Sequence, residues 1–261
     1  MTHNLAIFDL KLNSTTFDLG VCWRMNNKPQ KKLQYGIQGP DALAFSVLIF
    51  LAGLVLLMIR SGTFLVLATI TIVAGLFGIT LMVIESSSRY RSSLRDFLME
   101  LSGANSGQTV LDVGTGRGLL AIGFAKRGCK TYGIDIWSKA DLWNNTPLKT
   151  VQNINIERVD VKLQHGDIRA IPFKNKCFDI VISSYVVHNI HSSRQMQTAV
   201  KELARISKIG GKLLIADINP FWGPGWSKSR WMQELSAMGF NGVKFHRFWL
   251  ATIIVTKLRA Q

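Results

Sequence analysis

"VLDVGTGRGLL", residues 110–120, joins an apolar strand-like run to three glycines spaced by single residues and then to an apolar helix-like segment. Glycine carries no side chain and accepts positive backbone angles, so the main chain there can turn sharply and approach a ligand. Strand-like apolar runs recur at 110–113, 131–134, 161–164, 178–183 and 212–216, alternating with helical patterns at 119–127, 147–154 and 194–207. That alternation predicts an α/β domain: a doubly wound, mostly parallel sheet with helices on both faces.

Ligands of such sheets bind beyond the carboxyl ends of the strands, so the strand ends are the candidate site. The first ends in Gly114, Thr115, Gly116, Arg117 and Gly118, and the second in Asp135 and Ile136, with Asp135 placed 23 residues after Asp112. A carboxylate there can accept hydrogen bonds from two vicinal ribose hydroxyls. The third strand ends in His165, Gly166, Asp167 and Ile168, where a second carboxylate suits an exocyclic adenine amine. Ser183, Ser184 and Tyr185 follow the fourth. Together they describe a pocket for an adenosine-containing ligand. A nicotinamide dinucleotide is the competing reading, but its G-x-G-x-x-G fingerprint requires glycine where Leu119 stands. The spacing G-x-G-x-G favours a ligand with ribose and adenine but no pyrophosphate.

The chain has 261 residues and is 48% hydrophobic, and the excess is concentrated upstream. Residues 42–59 form an uncharged run of 18, and residues 61–84 another of 24. Each is long enough for a hydrocarbon core of roughly 30 Å. Two buried helices of a soluble core are the alternative, yet neither run keeps the polar stripe such helices carry. The reading is a transmembrane hairpin over 42–84 with its tip at Arg60, Ser61 and Gly62. Arg24, Lys28, Lys31 and Lys32 precede it and Arg89, Arg91 and Arg95 follow it, which places both termini on the cytoplasmic side of an integral membrane protein. Residues 1–41 are then a cytoplasmic arm, too polar for a signal peptide and too poor in arginine for a transit peptide. Residues 85–107 are a connector helix with Leu94, Phe97, Leu98 and Leu101 on one face, and 108–261 are the catalytic domain.

From Glu85 onward there are 25 basic and 13 acidic residues, a net +12. Beside a membrane hairpin, such charge favours anionic lipid, with nucleic acid as the weaker alternative. Cys22, Cys129 and Cys177 are isolated, so neither a metal site nor a disulfide framework is read.

From Val110 to about Lys257 the chain resembles the class I S-adenosylmethionine-dependent methyltransferases, which are Rossmann-like. The motifs are "VLDVGTGRG", "YGIDIW", "HGDIRAIPF", "FDIVISSYVVHNI" and "ELARISKIGGKLLIADI". The resemblance implies a seven-stranded sheet whose last strand, within 249–256, runs antiparallel, and S-adenosyl-L-methionine as cofactor. It implies main-chain approach at Gly114, Gly116 and Gly118, ribose contact at Asp135, adenine contact at Asp167 and Ile168, and Ser184 near the methionine end. Asp112 would orient the loop or the methionine amine. The connector helix of such enzymes often closes over the cofactor, adding Tyr90 and Arg95.

A sulfonium methyl is already activated, so the protein must hold a nucleophile in line and, for a hydroxyl or ring carbon, supply a base. His188 after the fourth strand is the candidate base, with loop capping as its alternative role. Tyr185 is a second catalytic candidate, or a pocket wall. Asn189 shapes the loop, His165 and His191 are structural, and Trp137 and Trp143 are candidate walls near the ribose. No Asn/Asp-Pro-Pro-Tyr motif follows the fourth strand, which speaks against amino groups of bases or of glutamine. The expected acceptor is a small lipophilic molecule. Quinone enzymes tend to carry arginine where His188 stands, which argues against a quinone in particular. A protein or RNA methyltransferase, and a membrane-tethered scaffold that has kept the fold, are the alternatives. The sequence leaves the oligomeric state open.

Overall fold

A computed structural model describes residues 40–59, 62–138, 142, 144–190, 192–218, 226–249 and 251–259. Residues 1–39 of the expected cytoplasmic arm, Arg60 and Ser61 of the expected tip, Trp143 and His191 lie outside the described residues, whereas residues 40 and 41 of that arm begin the first helix.

Two apolar helices come first, α1 (Pro40–Leu56) and α2 (Gly62–Ser86). Small residues let them pack closely and antiparallel: Gly53 meets Thr71 and Ile72, Gly75 meets Phe50, and Gly78 meets Ser46. Their outer faces are exposed and apolar, including Phe45, Leu48, Val66, Ile70, Val73 and Phe77. A soluble core would bury those faces. Among the described residues, α2 alone is long and apolar enough to cross a membrane, whereas α1 is a shorter apolar helix of 17 residues. The expectation of two spans is thus reduced to one helix of spanning length with a partner packed along it.

A single extended residue, Ser87, separates α2 from α3 (Ser88–Ser102), and its side chain caps α3 by accepting from the Tyr90 amide. Gly103 ends α3 in the left-handed conformation. A seven-stranded sheet follows: β1 (Thr109–Val113), β2 (Lys130–Asp135), β3 (Val161–His165), β4 (Phe178–Ser184), β5 (Ser207–Ile218), β6 (Phe240–Phe248) and β7 (Ala251–Leu258). The order is β3-β2-β1-β4-β5-β7-β6, with β7 antiparallel to both neighbours. This is the sheet that the class I methyltransferase resemblance implied.

The strands alternate between two cores, as period-two pleating requires. Leu111, Val113, Val181, Leu213 and Ile215 pack with Met196, Val200 and Leu203 of α6 (Ser193–Ile206) and with Trp231 and Leu235 of α7 (Lys228–Ala237). Val110, Ile180, Ile182 and Leu214 pack against Leu94 and Leu98 of α3 and Leu120 and Phe124 of α4 (Leu119–Lys126). α5 (Pro147–Glu157) covers the β2–β3 edge, capped by Thr146 with proline in its first turn. The connector helix is therefore part of the domain, covering one face of the sheet.

A Cβ added to Gly75 would lie 2.6 Å from the Phe50 backbone nitrogen, whereas one at Gly62 would meet nothing within 4 Å. Gly75→Leu should destabilise the helical pair by about 1–3 kcal/mol, the usual cost of overpacking, while Gly62→Leu should not. Denaturant unfolding of the detergent-solubilised chain measures the difference.

Candidate functional site

β1 lies between β2 and β4, so the strand order reverses at its carboxyl end and a crevice opens there. The turn that follows is held from three sides. The Gly114 and Thr115 amides both donate to the Ile134 carbonyl, at 2.8 and 2.9 Å. The Thr115 hydroxyl donates to Asp112 Oδ2 at 2.8 Å, and the Ala121 amide of α4 donates to the same oxygen at 3.1 Å. The Gly116 amide donates to Asp135 Oδ2 at 2.7 Å. Gly114, Gly116 and Gly118 all have positive φ, and a Cβ on Gly114 would fall 2.1 Å from Val186 Cγ2. Glycine is required there both for the backbone angle and for the approach of the β4 loop.

A cavity of about 730 Å³ runs along these strand ends. The glycine turn with Thr115 and Arg117 lines it, together with Asp112, Asp135, Ile136, Gly166, Asp167, Ile168, Ser184, Tyr185 and His188. Of the expected cofactor-contact and catalytic residues only Gly118 is absent from the lining; it caps α4 in a left-handed conformation. Ile136 is exposed toward the cavity, whereas Ile168 is buried in the core beside it. Asp135 also accepts from the Trp137 amide, so one carboxylate ties the glycine turn to the loop after β2. Trp137 is not a cavity wall. Its indole is buried behind the turn, and its Nε1 donates to the Gly116 carbonyl and to Thr150 Oγ1. His165 is an exposed residue at the end of β3, its ring 6.3 Å from that of Trp137.

Asp167 is engaged by Arg169, whose guanidinium contacts both carboxylate oxygens and holds the group below the usual carboxylate range. On the opposite wall, His188 lies in a short 3-10 turn, Val187–Asn189, with Asn189 exposed beside it. His188 Nδ1 is 2.6 Å from Asp217 Oδ1, and its amide donates to Asp217 Oδ2 at 2.9 Å. The carboxylate accepts the Nδ1 proton, and that tautomer leaves Nε2 as the basic nitrogen. Tyr185 has φ +56 and shares a 2.7 Å hydrogen bond with the Tyr90 hydroxyl. Burial pushes Tyr90 up to about 12 and raises Tyr185 further, so both phenols stay protonated and shape the wall.

The α3 face contributes Tyr90, Arg91, Leu94, Arg95 and Leu98 to the cavity. Arg91 is buried, and burial followed by the neighbouring Arg117 pushes its guanidinium down to about 10, still charged near neutrality. Sequence reasoning missed Arg91, Asn145, Arg169 and Asp217. Arg91 stands three residues before Leu94 and seven before Leu98, on the helical face already recognised as apolar. Asp217 is a strand-end carboxylate, open to the rule that found Asp135 and Asp167.

Residues 111–215 match a family model described as a methyltransferase domain. A ubiquinone/menaquinone biosynthesis C-methyltransferase of Chromobacterium violaceum is 31% identical over 132 residues, 50% of this chain and 51% of that protein. The chain spans about half the length of the curated relatives it matches. Among solved structures, a Pyrococcus horikoshii protein superposes with a TM-score of 0.56 at 18% identity, covering 66% of this chain and 92% of its own. Phosphoethanolamine N-methyltransferase 2 of Haemonchus contortus, solved with phosphomonomethylethanolamine and S-adenosylhomocysteine, gives 0.52 at 14%, covering 67% and 54%. At those identities the two structures establish the fold.

Burial raises Asp112 to about 7, and nearby Asp135 adds to the rise, against the opposing bonds from Thr115 and Ala121. The folded state therefore holds this proton more tightly than the unfolded chain does. The stability Asp112 contributes is fully present below its ordinary carboxylate range and is lost as pH rises toward about 7. Asp112→Asn should abolish that component, so the variant gains on the wild type across this window. Denaturant unfolding of both proteins from pH 4 to pH 8 would show a constant difference if Asp112 were an ordinary carboxylate.

Proposed function

We propose that the chain is an S-adenosylmethionine-dependent methyltransferase acting on a small lipophilic acceptor, held to a membrane by α1 and α2 with its catalytic domain on the cytosolic side. The observation that carries the enzymatic reading is the convergence of a side-chain-free turn, Asp135 and Asp167 on one cavity at the reversal of strand order. The residues present fit the cofactor. Asn145 Oδ1 is buried with no hydrogen-bond partner beside Asp135, an acceptor that a ribose hydroxyl would satisfy. Gly114 and Gly116 would admit the cofactor against the main chain, Ile136 and Ile168 would flank its adenine, and Asp167 would take the exocyclic amine. Ser184 would lie toward the methionine end, where the buried Arg91 supplies charge for a carboxylate.

The cofactor supplies a methyl group activated on a sulfonium sulfur. The chain's part is to position the acceptor and take its proton, for which His188 Nε2, oriented by Asp217, is the base. The activity for which the Chromobacterium violaceum relative is named makes a quinone-type ring the first acceptor to assay, against the expectation drawn from His188. In its reduced, hydroquinone form such a ring is lipophilic, carries acidic hydroxyls and has a nucleophilic carbon beside them, which suits this site.

Asp135→Ala removes a charged acceptor worth about 1.5–3 kcal/mol, so S-adenosylmethionine should bind tenfold or more weakly. His188→Ala should leave that affinity nearly unchanged. Calorimetric titration of the full chain in detergent tests both, and equal affinity of wild type and Asp135→Ala would remove the ribose assignment. The membrane reading rests on the exposed apolar faces of the helical pair and the basic residues flanking it. Membrane-bound protein should resist extraction by 1 M salt, roughly a 3 Å screening length, and by carbonate at high pH. Release by either would replace the embedded anchor with electrostatic attachment.

A further inference from the structure

The cavity does not stop at the domain. Ala42 in the first turn of α1, and Met82 and Glu85 near the end of α2, line the same space as Tyr185, His188 and Ile218. The base of the apolar pair is thus one wall of the chamber that holds the His188–Asp217 pair. Exposed apolar side chains lie next to this wall: Phe45 is 64% exposed one turn from Ala42, and Val83, beside Met82, is 61% exposed. Independently, the β6–β7 turn presents Trp249, 62% exposed, with its ring edge-on to Tyr90 at 6.3 Å. A tryptophan with one face on the protein and the rest exposed, beside the start of α3, suits the headgroup level of a bilayer.

We infer that the hairpin base is part of the acceptor site and that the acceptor arrives sideways from the cytosolic leaflet. The inference rests on the methyltransferase reading above. The acceptor is an amphiphile whose apolar tail remains along Met82 and the outer faces of the helical pair. Its protic head, a phenol-type hydroxyl or the activated carbon beside it, passes Ile218 to reach His188. The transfer balances with these parts alone: the acceptor's oxygen or carbon bonds to the methyl, the carbon–sulfur bond breaks with its electron pair kept by sulfur, and the acceptor's proton passes to His188. A chamber walled by the anchor explains why Glu85 and Arg91, at the α2–α3 junction, are buried within it rather than solvated outside.

The test uses the full chain in phosphatidylcholine vesicles and a long-chain alkylphenol bearing a photoactivatable diazirine next to its ring, with a short-chain, water-soluble homologue for comparison. The long-chain probe should label segments 82–85 and 216–218, with labelling set by its mole fraction in the bilayer. Met82→Trp narrows the passage and should cut that labelling about tenfold while S-adenosylmethionine affinity stays within about twofold. Ala42→Trp, on the α1 side of the same wall, should act the same way, and retained cofactor affinity certifies the fold of both variants. Labelling confined to the outer faces near Phe45 and Val73, equal labelling by the two probes, or indifference to both substitutions overturns the inference while leaving the enzymatic reading in place. Failure of the wild-type chain to bind S-adenosylmethionine removes that reading and the inference with it.

Discussion

One oxygen of Asp112 accepts from the Thr115 hydroxyl and from the Ala121 amide, and that pair of bonds determines where β1 stops and α4 begins. Without it the buried amide at the start of α4 would lack a partner, and the glycine turn would lose its floor. With it, the turn is presented to the Ile134 carbonyl and to Asp135, which fastens the Gly116 amide from the neighbouring strand end. The remaining cavity elements are arranged around this fixed turn. Keeping a carboxylate in so dry a place costs stability, as its raised affinity for a proton records.

The opposite wall uses the same logic with different residues. Tyr185 sits in a left-handed conformation, its amide held by the Ala216 carbonyl and its hydroxyl by Tyr90. That strained residue turns the chain so that His188 faces Asp217 across the ends of β4 and β5. In the proposed reading the cofactor occupies the β1–β3 side and proton transfer the β4–β5 side. The two halves meet near Ser184.

Much of this was legible in the sequence, for reasons that differ by element. β1, β4 and residues 212–216 of β5 are near-continuous apolar runs because both faces of the sheet are covered there, and the ends of β2 and β3 carried Asp135 and Asp167 in plain view. β6 was harder to read because it is an edge strand with Asn241, Lys244 and Arg247 interrupting its apolar residues, and α7 was missed with it. Trp137 was misplaced because an aromatic after an acidic strand end looks like a wall, whereas its indole is consumed by bonds to Gly116 and Thr150. Asp217 stands near a strand end as Asp135 does, but its pairing with His188 spans 29 residues, which no local pattern announces. The meeting of the apolar pair with the cavity is tertiary, and no stretch of sequence contains it.

Ser87 is the sole residue between α2 and α3, and α3 is welded to the sheet by Leu94 and Leu98. A domain joined to its anchor through one capped residue has no tether length. In the proposed setting it cannot swing out to sample the aqueous volume, and its height and tilt above the lipid are set by the junction itself. Encounters with substrate then become a two-dimensional search, governed by surface density rather than bulk concentration. Lengthening this junction by a few flexible residues would leave the side chains at the strand ends in place and yet change the dimensionality in which the protein works.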